Sequence, residues 1–322
     1  MKTLLPTVAA VLLLATPAHA WWESGHHIVA LIAYDLLDEP EQAELLRILE
    51  AHPRYAQDFT PNDKIRDVTR WRVGLTGYWP DIARGQPKYN RPTWHYQLAS
   101  TLTLGQNVNV PETPGPCPTT ATLDTKELHI AQAVELCRRV MGDHRQPLGD
   151  RAIALTWLAH LAGDAHQPCH AGSLYVAGVY PDGDRGANSI PVVQSKNMHA
   201  LWDGLLGQRF DEGDVARRLA EIIGNAQTME AGQAAIKRTD TLNPLIWLEE
   251  SREFSRQFVY RPEVLGPIQA AADGRAEAVP GIDLSEEYLQ QAGALARVRA
   301  AEAGYRLAAL WRVALAPLLT SD

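Results

Sequence analysis

The run Trp157-Leu-Ala-His160-Leu-Ala-Gly-Asp164-Ala-His-Gln-Pro-Cys-His170 constrains the fold of this chain more than any other stretch. His160 and Asp164 are four residues apart, so a helix places them about one turn apart on one face. Their neighbours are apolar and small, which directs that face into an interior. A buried carboxylate needs compensation, and a cation is the usual source. Alone the pair is a weak signal, because the spacing arises often by chance and most often marks an ordinary polar stripe. A second pair at the same spacing, His199 and Asp203, follows, and His170 lies just beyond Pro168. A bend at that proline can swing the His170 imidazole back toward the same centre. Two pairs with a histidine between them predict a metal cluster enclosed by helices, and hence a metallohydrolase. His166 reads differently, as a structural histidine hydrogen-bonded beneath the ligands.

The rest of the chain reads as helical. Apolar residues at helical spacing predict helices over 25–37, 40–49, 123–141, 148–167, 197–206, 212–226, 244–259 and 286–319, with short ones over 62–71 and 79–84. Residues 93–104, rich in Trp, Tyr, Thr and Leu, suit an extended segment, and a Pro/Gly/Asn-rich loop follows to Thr120. Glycines alternating with apolar residues over 172–193 predict a β-hairpin. No repeat, low-complexity tract or linker divides the chain, so the expectation is one all-α domain, residues 21–322, with a small β-hairpin insert.

Residues 1–20 read as a secretory signal: Lys2, an apolar stretch from Val8 to Ala15, and the small-x-small cleavage site Ala18-His-Ala20. That stretch is too short to cross a bilayer, and no uninterrupted apolar run of about 20 residues follows. With no cysteine near the cleavage site to take a lipid, the expectation is a periplasmic or secreted monomer without a membrane anchor. The formal net charge of −8 excludes a general electrostatic grip on polyanions, so any attraction to nucleic acid must be local and supplied by metal. Of the three cysteines, Cys117 and Cys137 are the favoured disulfide pair in an exported chain, and Cys169 stands beside His170 as a less favoured ligand.

Further metal-type residues lie upstream. Trp79-Pro-Asp81 and Trp94-His95-Tyr96 each set one beside a large aromatic, and singly each reads as a surface turn or a core histidine. If the signal is cut after Ala20, Trp21 carries a free α-amino group. That group and the Trp21 carbonyl can chelate one cation in a five-membered ring, with His26 reaching back and Gly25 allowing a tight turn. The plainer reading of Trp21 and Trp22 is hydrophobic anchoring.

The ordered set Trp-x4-His, Trp-x-Asp, Trp-His-aromatic, His-x3-Asp-x5-His and Asn-x-His-x3-Asp resembles the S1/P1 nuclease family of zinc-dependent single-strand nucleases. The resemblance runs from Trp21 to Asp203 and more loosely beyond. It implies the mainly helical fold shared by phospholipase C and P1 nuclease, with three zinc ions per chain. Asp81, His95, His160 and Asp164 match the ligands of one zinc, and His170, His199 and Asp203 those of a second. Trp21 and His26 match the third, with Asp164 bridging it to the first. Arg84 matches a family arginine near the phosphate, and the run Asp182 to Asn188 matches a glycine-rich segment. Tyr96 and Val176 match a base-sandwiching pocket, and Leu98 stands where relatives can carry an acidic residue that reads the base edge.

The implied reaction is hydrolysis of single-stranded DNA and RNA to 5′-phosphorylated products, with 3′-nucleotides also losing their phosphate. A zinc pair lowers the pKa of bound water to give the attacking hydroxide, and the third zinc and Arg84 stabilise developing charge. No side-chain nucleophile or protein general base is required. Stacking on an aromatic face tolerates any base and excludes a paired one. The bacterial zinc phospholipases C share a tri-zinc helical fold. They differ in a longer step from the terminal Trp to its histidine, a shorter gap between the last two histidines, and a final Glu ligand. A non-catalytic exported zinc-binding protein is the alternative from another class, and Arg84 beside the ligands speaks against it.

Overall fold

The computed structural model describes residues 21–208 and 210–319, so the expected signal segment lies outside the described residues. In chain order the elements are α1 (Glu23–Asp35), α2 (Glu39–Glu50), α3 (Tyr55–Asp58), α4 (Val68–Ile82), β1 (Ala99–Leu104), α5 (Ile130–Gly142), α6 (Leu148–His166), α7 (Pro168–Ala171), β2 (Gly172–Val176), α8 (Met198–Asp203), α9 (Glu212–Ile223), α10 (Ala226–Ala235), α11 (Pro244–Phe254), α12 (Pro262–Ala272) and α13 (Glu286–Leu319). The all-α class holds.

α6 is the central helix, and every residue from Arg151 to His166 is buried. It packs on α1, α4, α5 and α13. A helix without a polar face can only be stable when surrounded. Two glycines allow the closest approaches. A Cβ at Gly77 would meet the His26 carbonyl oxygen at 2.5 Å, and one at Gly163 would meet His26 Nδ1 at 2.8 Å. Small residues therefore bring α1, α4 and α6 together at the very level where their histidines and carboxylates sit. Around this core α2 starts on a reciprocal cap: Asp38 Oδ1 accepts from Glu41 N and Glu41 Oε2 accepts from Asp38 N, both at 2.9 Å.

Three expectations need correction. The short helices over 62–71 and 79–84 are replaced by one helix, α4, which runs through Pro80. Pro80 lies in its last turn, so the one ladder bond that its missing N–H costs falls at the end of the helix. The β-hairpin is absent as such: β2 pairs in parallel with β1, Ala99 opposite Gly172 and Leu104 opposite Val176. The chain does turn back after Val176, through an antiparallel bridge to Tyr180. It then leaves the sheet, because Gly183, Arg185, Gly186 and Ala187 all take positive φ. The disulfide is also absent, and all three cysteines are free. The Cys117 thiol faces the Pro118 carbonyl oxygen at 3.6 Å, and burial pushes the Cys137 thiol up.

Beneath the C-terminal turn of α6 lies a buried charged network. Arg306 clasps Glu250 through Nη1 and Nη2 at 2.6 and 2.8 Å, and its Nη1 also donates to His166 Nε2 at 2.8 Å. The other ring nitrogen of His166 then carries the proton and donates to the Ala162 carbonyl at 2.7 Å. Arg299 donates to the His166 carbonyl at 3.2 Å and to Ser251 Oγ at 2.8 Å, while Ser251 donates to the Ala165 carbonyl at 2.6 Å. The last carbonyls of α6 are thus satisfied from α11 and α13. His166 has the supporting role its sequence context indicates. Glu250→Ala would strand the buried Arg306 guanidinium and leave Arg299 to Glu302 alone, and we expect it to lower the unfolding free energy by about 3–5 kcal/mol. Denaturant unfolding of the metal-loaded protein checks this; a loss below about 1 kcal/mol would mean solvent replaces the carboxylate.

Candidate metal centre

Five helices and one turn deliver the predicted ligands to one place. α1 brings His26, α4 brings Asp81, the turn before β1 brings His95, and α6 brings His160 and Asp164. The short α7 after Pro168 brings His170, and α8 brings His199 and Asp203. All eight are buried. They form three groups whose ligand atoms lie within 4.8 Å of one another: Asp81–His95–His160, His26–His160–Asp164, and His170–His199–Asp203. Cys169 joins none of these groups.

Asp164 is the hub. Its Oδ2 lies 3.1 Å from His160 Nε2 and 3.2 Å from His95 Nδ1, while its Oδ1 lies 3.4 Å from His26 Nε2 and 4.0 Å from His170 Nδ1. His95 Nδ1 is also 3.9 Å from Asp81 Oδ1. In the third group His199 Nε2 sits 3.1 Å from His170 Nε2 and 3.4 Å from Asp203 Oδ2.

Backbone carbonyls fix three of the imidazoles. His160 Nδ1 donates to Gly77 O at 2.7 Å, His170 Nδ1 to His95 O at 2.5 Å, and His199 Nδ1 to Gly186 O at 2.6 Å. Each bond fixes the tautomer and leaves Nε2 as a lone pair aimed inward. This explains the backbone of the loop over 183–188, whose positive φ angles put the Gly186 carbonyl against His199. It also explains Gly186 itself: a Cβ there would overlap the Cys169 carbonyl oxygen.

The donor set fits a divalent cation. His160 Nε2 faces His95 Nδ1 at 2.7 Å, and whichever of these nitrogens is protonated, another buried atom goes unsatisfied. His26 Nε2, His95 Nε2 and Asp164 Oδ1 are buried without a hydrogen-bond partner. Native interiors rarely leave such atoms, and imidazole with carboxylate is the donor set of borderline metals. Electrostatics agree. Burial, helped by Arg84, lowers the His95 pKa to about 4, and burial likewise lowers that of His26. Both are neutral and ready to ligate. Burial would also lower His160, but the Asp164 and Asp81 carboxylates outweigh it and raise its pKa. Burial, with the Asp164 and Asp81 carboxylates nearby, pushes the Asp203 carboxyl well above its usual range.

The other predicted residues are placed as follows. The Trp21 ring is fully buried, and its indole Nε1 donates to the Gly163 carbonyl at 3.1 Å. The next amide, Trp22 N, donates to the Asp203 carbonyl at 2.9 Å. A Cβ at Gly25 would come within 2.7 Å of Trp21 Cβ, so glycine is needed where α1 starts against Trp21. Arg84 Nε donates to Asp81 Oδ1 at 2.6 Å. Tyr96 is 37% exposed, with His129 packed edge-on against its ring at 6.0 Å. Val176 is only 2% exposed and packs inside a second apolar cluster with Leu174 and Ala187, so it offers no open wall to a base. Sequence reasoning missed the Gly77 and Gly186 carbonyls, which no side chain announces. It also missed Gln167, though its place between a buried helix and a proline marks it as a cap.

The model of the S1/P1 Nuclease family matches residues 21–315. The chain belongs to this family. Nuclease S1 of Aspergillus oryzae is 24% identical over 327 residues, 96% of each protein, and Endonuclease 2 of Arabidopsis thaliana is 22% identical over 323 residues, again 96% of each. Endonuclease 4 of Arabidopsis thaliana is 29% identical over 160 residues, so the chain spans about half of that relative, 48% of its length. As an S1/P1 nuclease the protein is a phosphodiester hydrolase, and it carries His/Asp groups able to hold metal.

Proposed function

We propose that this nuclease hydrolyses single-stranded DNA and RNA to 5′-phosphorylated products, and 3′-nucleotides to nucleosides, with three zinc ions per chain. The observation that carries the reading is the clustering of three buried His/Asp groups, two of them around Asp164, with Arg84 hydrogen-bonded to Asp81. Asp81, His95, His160 and Asp164 would hold one zinc, and His170, His199 and Asp203 a second. The α-amino and carbonyl groups of Trp21, with His26 and Asp164, would hold the third. Bound zinc supplies Lewis-acid charge and an activated water at neutral pH.

The protein's own groups supply the rest. Water adds to phosphorus in line with the 3′ oxygen, the P–O3′ bond breaks, and the proton ends on that oxygen. Arg84 offers its guanidinium N–H groups to the phosphoryl oxygens, where charge develops. Tyr96 gives one exposed face for a base, and Val176, being enclosed, gives none. Base selectivity therefore rests on stacking alone and is broad. The chain acts as a monomer of one domain, residues 21–322. It is exported to the periplasm or beyond, after cleavage behind Ala20, with no membrane anchor; no helix among the described residues is long and apolar enough to span a bilayer.

The test incubates purified, metal-analysed protein with single-stranded DNA, RNA, duplex DNA, a 3′-mononucleotide and phosphatidylcholine vesicles. The expected result is about three zincs and release of 5′-nucleotides from single strands well ahead of the duplex. Lipid hydrolysis without nucleotide release overturns it. A sharper expectation concerns Arg84. At saturating zinc, Arg84→Ala should lower kcat/KM by about 10²–10³, the scale of losing one preorganised donor to a developing oxyanion. Lysine should restore only part, lacking the planar fork. An unchanged kcat/KM would place Arg84 away from the phosphate.

A further inference from the structure

Gln167 makes contacts that no ligand assignment uses. It is fully buried at the junction of α6 and α7. Its backbone N donates to the Asp164 carbonyl at 3.1 Å, and its carbonyl accepts from His170 N at 3.0 Å. The side-chain Oε1 accepts from Cys169 N, which caps α7, and Nε2 donates to Asp203 Oδ1 at 2.5 Å. One residue therefore touches Asp164, His170 and Asp203.

The atom assignment on Asp203 is informative. Oδ1 is taken by the Gln167 amide, while Oδ2 faces His199 Nε2 at 3.4 Å. An amide nitrogen is a donor that carries no charge, so it fixes a carboxylate without neutralising it. Glu in its place would repel Asp203, and Lys or Arg would compete with the cation. Gln also spends its oxygen on α7, so one planar group ties the helix carrying His170 to the helix carrying His199 and Asp203.

We propose that Gln167 is the positioning residue of the His170–His199–Asp203 group, holding Asp203 as a one-oxygen ligand and setting the distance between α7 and α8. The inference rests on the reading that these three residues bind zinc. Supporting contacts of this kind typically change metal affinity by about 10–100-fold when removed. They are also what keeps a site from being about 1 Å too loose.

The experiment uses the zinc-loaded protein and reads zinc affinity site by site, by competition with a chromogenic chelator, alongside kcat and KM. Gln167→Met keeps length and volume but cannot donate. It should leave the far-ultraviolet dichroism native, weaken one zinc by about 10–100-fold, and lower kcat at limiting zinc, with recovery in excess zinc. The exchange Gln167→Glu with Asp203→Asn reverses the pair. The new carboxylate at position 167 still accepts from Cys169 N, and the new amide at position 203 donates to that carboxylate while its oxygen faces the metal. That double variant should bind the zinc more tightly than Asp203→Asn alone. Native zinc affinity and kcat in Gln167→Met overturn the proposal, as does a double variant no better than Asp203→Asn. Asp203→Ala separates the two levels. Loss of one zinc there with none in Gln167→Met sinks only the role of Gln167, whereas a full zinc count in Asp203→Ala sinks the site itself.

Discussion

Asp164→Asn is expected to release at least two of the three proposed metals and to lower kcat/KM by on the order of 10³ or more. The magnitude follows from the several kcal/mol that a metal contributes to a phosphoryl transition state, at about 1.4 kcal/mol per tenfold in rate. The residue is chosen by geometry: Oδ2 faces His95 and His160 and Oδ1 faces His26, so one carboxylate serves two of the three groups. An amide has a single, weaker oxygen donor and cannot bridge. The stability consequences differ with and without metal. Loaded wild-type protein should melt well above its chelator-treated form, since a ligand at 1,000 times its Kd adds about 4 kcal/mol. In the variant that gap should shrink. Without metal the variant should be about as stable as wild type, because its amide leaves no carboxylate to be compensated in a dry interior. Metal analysis and thermal unfolding with and without chelator read all three quantities. A variant holding its full metal complement with an undiminished melting gap would remove Asp164 from the centre.

How far the sequence foretold this site follows from what kind of information each part uses. His160, Asp164, His199 and Asp203 were legible because four-residue spacing on a helix is local, and an apolar setting makes a polar pair conspicuous. Asp81, His95 and His26 carried no such local signal; each alone reads as a turn or core residue, and only their order along the chain, shared with a family, singled them out. Long, strongly periodic helices were equally legible, and the expected 286–319 span is that of α13. What failed was set by distant partners. β2 alternates as a hairpin strand would, but its partner is β1, and the loop that follows is shaped by the need to place Gly186 O on His199. α10 and α12 were missed because short, glycine- or proline-containing stretches hold helix only by packing, α10 against α13 in particular. The disulfide was inferred from compartment chemistry alone, which says that a bridge can form but not that two sulfurs meet.

One extra residue ahead of Trp21 is expected to remove one metal and lower kcat/KM by about 10² or more, while leaving the fold intact. The two effects separate because Trp21 has two attachments. Its indole is held by the Gly163 carbonyl, and the following amide by the Asp203 carbonyl, and neither involves the α-amino group. An extended chain keeps both. What it loses is a donor: a free amine offers a lone pair, whereas the nitrogen of a peptide bond is conjugated with its carbonyl and does not. His26 Nε2 and Asp164 Oδ1, the side-chain atoms proposed to share that site, are buried without hydrogen-bond partners. The amine binds only when deprotonated, and its ordinary pKa is about 8, so occupancy of this site should weaken first as pH falls. Two preparations decide the matter, one starting at Trp21 and one retaining Ala20, compared for zinc per chain, kcat/KM and thermal unfolding. Treating the longer form with an aminopeptidase that removes Ala20 should restore both metal and rate. Equal zinc and equal rates in the two forms would return Trp21 to the role of a hydrophobic anchor.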